Sequence, residues 1–357
     1  MSQPTTSGVN RGANRTRVAL IGAGAWAAQA HLPALLLQEA VEIVGVVDPV
    51  IGRARTLAAR HNIAMAVESI DMLLAVQRPD VIVIAAPTEA HPTLATTALK
   101  EGIAVLCEKP LANTPTIAAE MATLAESSGT LSSVGYSFRY ALAIQALKRD
   151  IQSGILGHPW LLEMYEYNAQ FHPARGTSTG WKGDPARARA GSLLEYGSHL
   201  IDLANWLVGP IEAVHASLTR VLPQARLDDI ATVQVRFRPP AIGILVSGWV
   251  LSGSSPGIKI RFHGSKGLAE VELSHIVPGG QTYHRIALDG ATEQIPLAES
   301  TVSSWTYAQC HIADMLALLH GEPTPYPDTL PTFRDGVIVQ QVIEAALRAT
   351  GGWETVK

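Results

Sequence analysis

The segment RVALIGAGAWA, residues 17–27, decides the fold expected for this chain. Residues 17–21 form a short apolar run typical of a buried strand, and the hexapeptide GAGAWA follows at once. Gly-x-Gly-x-x-Ala between a strand and a helix is typical of a dinucleotide site, because glycines allow a tight turn and a close approach of the backbone to a pyrophosphate. Alone, the hexapeptide also fits any tight strand-to-helix turn.

An acidic residue at the end of the next strand supports the nucleotide interpretation. An Ala- and Leu-rich segment over residues 27–39 predicts a helix, and residues 41–47 predict a strand that ends at Asp48. A carboxylate about 20 residues beyond the glycines can accept hydrogen bonds from both ribose hydroxyls and disfavours a 2′-phosphate. We therefore expect NAD. Arg53 and Arg55 follow closely enough to leave NADP as an alternative; otherwise both occupy an exposed helix face.

Length, composition and charge limit the classes of protein to which this chain can belong. A chain of 357 residues with 47% hydrophobic and 16% charged residues predicts a globular protein of two domains. The net charge of −4 gives no basic surface for nucleic acid or an anionic membrane. The two cysteines, Cys107 and Cys310, form no disulfide framework or metal motif, which favours the cytoplasm. Residues 1–16 lack a signal-type apolar run and predict a disordered tail, and no apolar run has the length of a membrane span.

Strands and helices keep alternating up to about residue 137. Apolar runs at residues 81–85, 103–107 and 131–136 predict further strands, with helices between them. Repeated βα units form a parallel sheet with right-handed crossovers, and its ligands bind beyond the carboxyl ends of the strands. Three segments directly follow these strands: APTEAH (86–91), EKP (108–110) and SFRY (137–140). We expect the functional site to lie among them.

The second half has the pattern of an antiparallel sheet. Six β-type runs between residues 211 and 288 follow one another without intervening helices. Helices are predicted at residues 141–153, 192–208, 305–320 and 332–350. We therefore predict an α/β fold with a Rossmann-type parallel sheet over residues 17–137. An α+β domain with a large, open, mainly antiparallel sheet is predicted over residues 138–331.

The most informative segment of the second half is GSLLEYGSHLID, residues 191–202. On a helix, Glu195, His199 and Asp202 share one face, so a carboxylate and an imidazole can reach one small volume. Two structural alternatives compete with a catalytic role. Ser192 and Glu195 have the spacing of a capping box, and His199 could be a hydrogen-bonded core residue. As metal ligands, Glu195 and His199 lack an obvious third partner, so we expect no metal.

In their order along the chain, these motifs resemble those of the glucose–fructose oxidoreductase/inositol dehydrogenase (Gfo/Idh/MocA) family. The resemblance runs from about Arg17 to the C-terminus and rests on residues 22–27, 86–91, 108–110 and 134–139. The family's catalytic helix begins Gly-Gly-x-Leu-x-Asp-x-Gly-x-His-x-x-Asp, which this chain matches at Gly191, Gly197, His199 and Asp202. Two positions depart from the family: Ser137 replaces an Asn that is common beside the nicotinamide, and Glu195 replaces the usual Asp.

The resemblance implies an NAD(P)-dependent oxidoreductase that transfers hydride between nicotinamide and a secondary alcohol or ketone of a sugar, cyclitol or related polyol. Lys109 would stabilise the developing alkoxide, and His199 would act as general base. Glu195 would bind a neighbouring hydroxyl or hold Lys109, and Asp202 would orient His199 or anchor the helix. Alternatives are a non-sugar substrate such as a cyclic dihydrodiol, a reductase that works with NADPH, or a non-catalytic NAD(P)-sensing protein. Because a sensor needs neither Lys109 nor His199, both residues argue against the last.

The residues expected around the ligands follow from these motifs. The predicted cofactor contacts are Gly22, Gly24, Ala25, Trp26, Ala27, Asp48, Arg53, Ala86, Pro87, Thr88, His91, Glu108, Lys109, Ser137 and Arg139, with helix capping as the alternative for His91. The predicted substrate contacts are Lys109, Arg139, Tyr165, His172, Trp181, Glu195 and His199; Trp181-Lys182 matches an aromatic-plus-base pair of the family. The resemblance further implies a homodimer or homotetramer that associates through the second sheet, with the last helix packed on the first domain. We expect no nucleic-acid or membrane partner.

Overall fold

The computed structural model describes residues 15–238, 240–251, 257–274, 280–297, 305–349 and 351–357. Of the predicted tail over residues 1–16, residues 1–14 lie outside the described residues. Thr16 begins the first strand, and its hydroxyl lies 2.8 Å from Nε2 of His320. The predicted tail therefore includes one residue of the first strand.

The first sheet has six parallel strands. They are β1 (Thr16–Ile21), β2 (Val41–Val47), β3 (Ala66–Val67), β4 (Val81–Ile84), β5 (Ala104–Cys107) and β6 (Ser132–Val134). The spatial order is β3-β2-β1-β4-β5-β6, and every pairing is parallel. This order belongs to doubly wound nucleotide-binding folds, in which the connections reverse between β1 and β4 and leave a crevice at the carboxyl ends of the strands.

Helices connect these strands. A π-helix, Ala27–His31, continues into α1 (Leu32–Leu36), and it is followed by α2 (Ile51–Arg60), α3 (Ile70–Leu74), α4 (His91–Lys100) and α5 (Pro115–Ser128). Single 3₁₀ turns, Thr88–Ala90 and Ser137–Tyr140, follow β4 and β6. Within the part of the chain that the structure describes, none of the helices is long and apolar enough to cross a membrane.

The second sheet has nine strands. They are β7 (Pro159–Tyr167), β8 (Ile211–Thr219), β9 (Ile230–Phe237), β10 (Ala241–Gly248), β11 (Gly257–Gly264), β12 (Gly267–Ser274), β13 (Gln281–Ala287), β14 (Thr292–Gln294) and β15 (Glu354–Thr355). Their order is β14-β13-β12-β11-β7-β10-β9-β8-β15, and among the described residues only the pairing of β7 with β10 is parallel. The predicted combination of a parallel Rossmann-type sheet with a mainly antiparallel second sheet is confirmed.

One face of the second sheet is covered by helices, as its alternating burial shows. In β9 every second residue is buried, and α6 (Leu142–Gln152) and α7 (Ser198–Val208) pack on that side. A second π-helix, Leu193–Gly197, leads into α7, and 3₁₀ turns at Pro173–Arg175 and Gly180–Gly183 lie in the loop before it. The first turns of the catalytic segment therefore rest on the second sheet.

The last two helices return to the first sheet. α8 (Trp305–Leu319) adds Ala308, Ile312 and Met315 to the apolar core around β1. α9 (Phe333–Arg348) packs on α5, where Gln340 donates a hydrogen bond to the carbonyl of Ala112. These contacts bind the two halves of the chain together on either side of the crevice.

Candidate active site

The glycine-rich loop has the geometry that a pyrophosphate needs. Gly22 has a φ of +96°, and a Cβ there would overlap the carbonyl oxygen of Ala85. By contrast, a Cβ at Gly24 would have no atom within 4 Å, so this part of the loop borders open space. Ala27 is fully buried where the π-helix packs on the sheet. The loop therefore fits the phosphate-binding role predicted for it.

Asp48 lies at the carboxyl end of β2 and is tied to this loop. Its Oδ2 accepts a hydrogen bond from the amide of Ala23 at 2.9 Å, and Oδ1 accepts one from the amide of Val50 at 2.8 Å. An ionised carboxylate offers about four lone-pair sites, so it keeps acceptors for ribose hydroxyls. Arg53 and Arg55 lie exposed on α2. These residues fit an NAD adenosine, with Asp48 as the group that holds the ribose.

We predict that Asp48→Ala weakens NAD binding by roughly tenfold to a hundredfold and NADP binding much less, because the carboxylate favours a free 2′-hydroxyl. Titration calorimetry with both cofactors measures the two losses. Asp48→Asn is the matched control, since it keeps one acceptor oxygen and the volume of the side chain. Equal losses for NAD and NADP would mean that Asp48 does not contact the ribose.

Lys109 and Glu195 meet across the crevice. Nζ of Lys109 donates a 2.7 Å hydrogen bond to the backbone carbonyl of Glu195 and lies 3.4 Å from its Oε1. The same Oε1 accepts a 2.6 Å hydrogen bond from Nζ of Lys182. Lys182 is not among the predicted contacts, although the pair Trp181-Lys182 matches a pair of the family. Burial acts to raise the pKa of Glu195, but the charges of Lys109 and Lys182 outweigh it and lower the pKa to about 2. Glu195 thus holds Lys109, one of its two expected roles.

His199 lies on α7 one turn beyond Glu195. Its side chain is nearly buried, and its ring packs edge-on against Phe138 and Tyr136, with centroid distances of 4.6 and 5.8 Å. The imidazole is also close enough to Glu195 to contribute to the low pKa of that carboxyl. The structure therefore brings Lys109 to Glu195, and His199 follows Glu195 by one turn on the same helical segment.

The capping box considered as a structural alternative for Ser192 and Glu195 is not formed. Ser192 makes no capping bond, and its hydroxyl lies 3.2 Å from that of Ser247. The carboxylate of Asp228 takes the open amides instead, at 2.6 Å from the nitrogen of Gly191 and 2.8 Å from that of Leu193. Because this partner comes from the start of β9, no local spacing could have indicated it.

Arg139 was predicted to contact cofactor and substrate, and this is wrong. Its side chain is 2% exposed and donates from Nε and Nη2 to Asp202, at 2.9 and 2.5 Å. Nη2 also lies 3.0 Å from Oδ1 of Asp335 at the start of α9. Asp202 therefore anchors the catalytic helix to Arg139 rather than facing the cluster of Lys109 and Glu195.

Tyr165 and His91 are corrected as well. In β7 the residues Leu162 and Met164 point to the helices, so Tyr165 lies on the opposite face, where its hydroxyl donates to Glu163 at 3.1 Å. His91 is 1% exposed and makes no capping bond. Its ring lies between the carbonyl oxygens of Pro110 and Ala86, at 3.0 and 2.9 Å. Tyr165 cannot reach the crevice, and His91 joins two of its loops.

The other predicted contacts divide between the crevice and the loop above it. His172 accepts a 3.2 Å hydrogen bond from the amide of Ala174, and Arg187 lies over the ring of Trp181 at 5.8 Å. Glu108 was predicted to contact the cofactor, but its carboxylate lies within hydrogen-bond distance of three donors of the protein itself. The remaining predicted cofactor contacts lie in the loops at the carboxyl ends of the first sheet: Ala25, Trp26, Ala86, Pro87, Thr88 and Ser137.

The low pKa of Glu195 predicts an acid-sensitive fold. Because the folded pKa of about 2 lies below the ordinary value of 4.5, the ionised carboxylate stabilises the fold above pH 4.5, and this contribution is lost as the pH falls towards 2. Glu195→Gln should therefore lower the free energy of unfolding at pH 6, by at most about 3 kcal/mol, and much less at pH 3. Urea unfolding across this range measures the difference. Glu272→Gln, on an exposed pair with Lys259, is the control and should leave the pH dependence unchanged.

Comparison with known proteins agrees with this fold. Residues 16–136 match the oxidoreductase family with an NAD-binding Rossmann fold, and residues 144–270 match the GFO/IDH/MocA C-terminal domain. The D-glucoside 3-dehydrogenase of Escherichia coli is 30% identical over 193 residues, which cover 54% of this chain and 54% of that protein. The chain thus spans about half the length of that relative. The inositol 2-dehydrogenase of Streptomyces avermitilis is 26% identical over 350 residues, 95% of this chain and 94% of that protein.

Solved structures share the fold over almost the whole chain. The crystal structure of an oxidoreductase domain protein from Kribbella flavida has a TM-score of 0.84 at 21% identity, covering 97% of this chain and 100% of that one. Both halves of the chain match their counterparts in sequence and in fold. The chain belongs to the Gfo/Idh/MocA family of oxidoreductases, with an NAD-binding Rossmann domain at its N-terminal end.

Proposed function

We propose that this chain is an NAD-dependent dehydrogenase that oxidises a secondary alcohol of a sugar, cyclitol or related polyol, or reduces the corresponding ketone. The observation that carries the proposal is the contact of Lys109, just beyond the carboxyl end of β5, with Glu195, one turn before His199 on the same helical segment. The relatives named as D-glucoside and inositol dehydrogenases support the substrate class. An acid–base group and a cation beside a nucleotide loop suit hydride transfer from carbon.

The residues that would hold NAD are those of the crevice. Gly22 and Gly24 leave room for the pyrophosphate, and Asp48 presents acceptors to the ribose. When bound there, the nicotinamide supplies the site that accepts or returns the hydride. The remaining chemistry, which is the removal of the hydroxyl proton and the control of charge on oxygen, falls to the side chains of the chain.

Lys109 would control the charge on the reacting oxygen. Its ammonium has three N–H donors. One is used on the carbonyl of Glu195 at 2.7 Å and a second points to Oε1 at 3.4 Å, which leaves a donor for the substrate. Since the carboxyl of Glu195 has a pKa of about 2, it stays ionised at neutral pH and keeps the ammonium in place. A fixed cation of this kind stabilises an alkoxide as it develops.

His199 would take the proton. As the hydride leaves carbon, the O–H bond breaks, its proton passes to the imidazole, and the carbon–oxygen double bond forms; reduction of a ketone runs these transfers in reverse. The edges of Phe138 and Tyr136 limit rotation of the ring, and Asp202 fixes the helix below it through Arg139. The base is therefore held in one orientation by packing.

We also propose that copies of the chain associate through the uncovered face of the second sheet. Along β7 and β10 this face carries an apolar stripe, in which Ile242 is 51% exposed: Leu161, Tyr165, Tyr167, Ile242, Ile244 and Val246. Exposed apolar stripes of this kind commonly mark interfaces between proteins. The molar mass from light scattering tests the association, and a monomer at all concentrations would exclude it.

The activity is tested by absorbance at 340 nm. Purified protein is mixed with NAD⁺ and then NADP⁺ against aldoses, cyclitols, sugar acids and nucleotide sugars, with Lys109→Ala as the inactive control. A signal that the control lacks would establish the dehydrogenase and identify its substrate class and cofactor together. Silence across the panel, with NAD still bound in calorimetry, would favour a non-sugar substrate or a sensor.

A further inference from the structure

A hydrogen-bonded cluster joins Glu108 to the helix that follows the glycine-rich loop. Nε1 of Trp26 and Nε2 of His31 each lie 2.8 Å from Oε1 of Glu108, and the amide of Lys109 donates to Oε2 at 3.1 Å. Trp26 and His31 are five residues apart, and the π-helix Ala27–His31 sets the i to i+5 spacing. Their rings meet edge-on at 6.5 Å. One carboxylate oxygen therefore receives two side chains from a single helical turn.

The carboxylate of Glu108 is closely surrounded by other groups. A Cβ at Gly135 would lie 2.9 Å from the carboxylate of Glu108, so a larger residue there would displace this carboxylate. The side chains of His31 and Glu108 are only 4% and 12% exposed. Burial acts to raise the pKa of Glu108, but His31, Lys109 and Trp26 outweigh it and lower the pKa to about 2. Hydrogen bonds to an anion are strong in such a shielded place.

Lys109 is consequently held at both of its ends. Its backbone amide is bonded to Glu108, which is anchored to the Rossmann side of the crevice. Its ammonium is bonded to Glu195, which lies on the π-helix before α7. Rotation of the segment that carries Lys109 would therefore break at least one of these two hydrogen bonds.

We propose that Glu108, Trp26 and His31 form a positioning assembly that sets the place of Lys109 and links it to the glycine-rich loop. Trp26 makes this link, because it belongs to the glycine-rich loop. Its side chain is 47% exposed. This inference rests on the proposed function, because the assembly can affect catalysis only if Lys109 acts in the reaction. None of the three residues contacts the reacting atoms in this scheme; they act through Lys109.

Matched substitutions test the assembly through its hydrogen-bond donors. Trp26→Phe keeps an aromatic ring without the N–H, and His31→Met keeps the volume without the N–H. Each should lower kcat by about tenfold at saturating NAD, with the KM for substrate changed less than about twofold, because a positioned cation is lost only from the transition state. His31→Gln, which keeps an N–H donor, should recover most of the activity. Trp160→Phe, at an exposed position on β7, controls for the loss of an indole.

A second measurement does not depend on activity. Reductive methylation with formaldehyde, read by mass spectrometry, reports the reactivity of Lys109 relative to Lys182 in the same sample. In Glu108→Gln this ratio should rise at least about fivefold, because the segment is no longer anchored and the ammonium leaves the carbonyl of Glu195. An unchanged ratio, or a loss in His31→Gln as large as that in His31→Met, would overturn the positioning assembly. A raised ratio in a chain whose unaltered form turns over no substrate would support the assembly and overturn the proposed function instead.

Discussion

Replacement of Lys109 by alanine should lower kcat by roughly a thousandfold, the size expected when a fixed donor to a developing oxyanion is removed. The affinity for NAD should change by less than about threefold, because the loop at Gly22 and Gly24 and the carboxylate of Asp48 remain intact. Lys109 is a largely shielded cation, 11% exposed, and its ammonium contacts the carbonyl and the carboxylate of Glu195. Initial rates at 340 nm give kcat, and titration calorimetry gives the Kd of NAD.

Lys182 offers the matched control for this substitution. It is bonded to the same oxygen of Glu195, so Lys182→Ala removes an equal charge from the same carboxylate. Since Lys182 comes from the loop above the site and is 29% exposed, its loss should raise the KM for substrate by about tenfold and change kcat less. Equal effects on kcat in the two variants would mean that the cluster needs only a positive charge. A large loss of NAD affinity in Lys109→Ala would recast Lys109 as a binding residue.

The part of the site that lies on the first sheet could be predicted from motif order. Parallel strands place their carboxyl ends at one edge, so the loops after β1, β2, β4, β5 and β6 must meet there. This argument needs no knowledge of side-chain orientation. It was sufficient to bring Gly22, Asp48 and Lys109 to one crevice, and the resemblance to a family then added His199.

Contacts between distant segments could not be predicted in this way. Arg139 and Asp202 are 63 positions apart, and nothing in either local pattern indicates that the guanidinium would be buried against that carboxylate. Tyr165 shows a related limit, because alternation divides a strand into two faces without showing which one the helices cover. In both cases a polar residue near a motif was predicted to contact a ligand, although its side chain binds another residue of the protein.

Local spacing was also misleading where a tertiary partner competed. Ser192 and Glu195 match a capping box, yet Asp228 supplies the acceptors from 35 to 37 positions away. Burial raises the pKa of Asp228 to about 6, while the amides it accepts from act in the opposite direction. Glu195 is thereby released from the helix end and free to hold the two lysines. The π-helices at residues 27–31 and 193–197 have no sequence signature at all, although both lie at functional segments, where such turns are common.

Replacement of His199 by asparagine should lower kcat by roughly a hundredfold to ten-thousandfold, the usual contribution of a positioned acid–base group. A general base must be unprotonated to accept the hydroxyl proton, so the rate of alcohol oxidation falls below the pH at which the base titrates. An imidazole ordinarily titrates near pH 6.5. In His199→Asn the decline of kcat/KM on the acid side should therefore disappear, while the cofactor still binds.

An effect of Asp202 on the pH dependence must be separated from that of His199. Burial raises the pKa of Asp202 to about 6, although the charge of Arg139 acts to lower it, so protonation of this anchor could also reduce activity on the acid side. Asp202→Asn keeps the shape of the anchor and removes its titration. If the acid decline persists in Asp202→Asn and is absent in His199→Asn, the imidazole is the base. If instead it vanishes in Asp202→Asn and persists in His199→Asn, the pH dependence reports the attachment of α7 to Arg139, and the proton of the substrate must leave by another route.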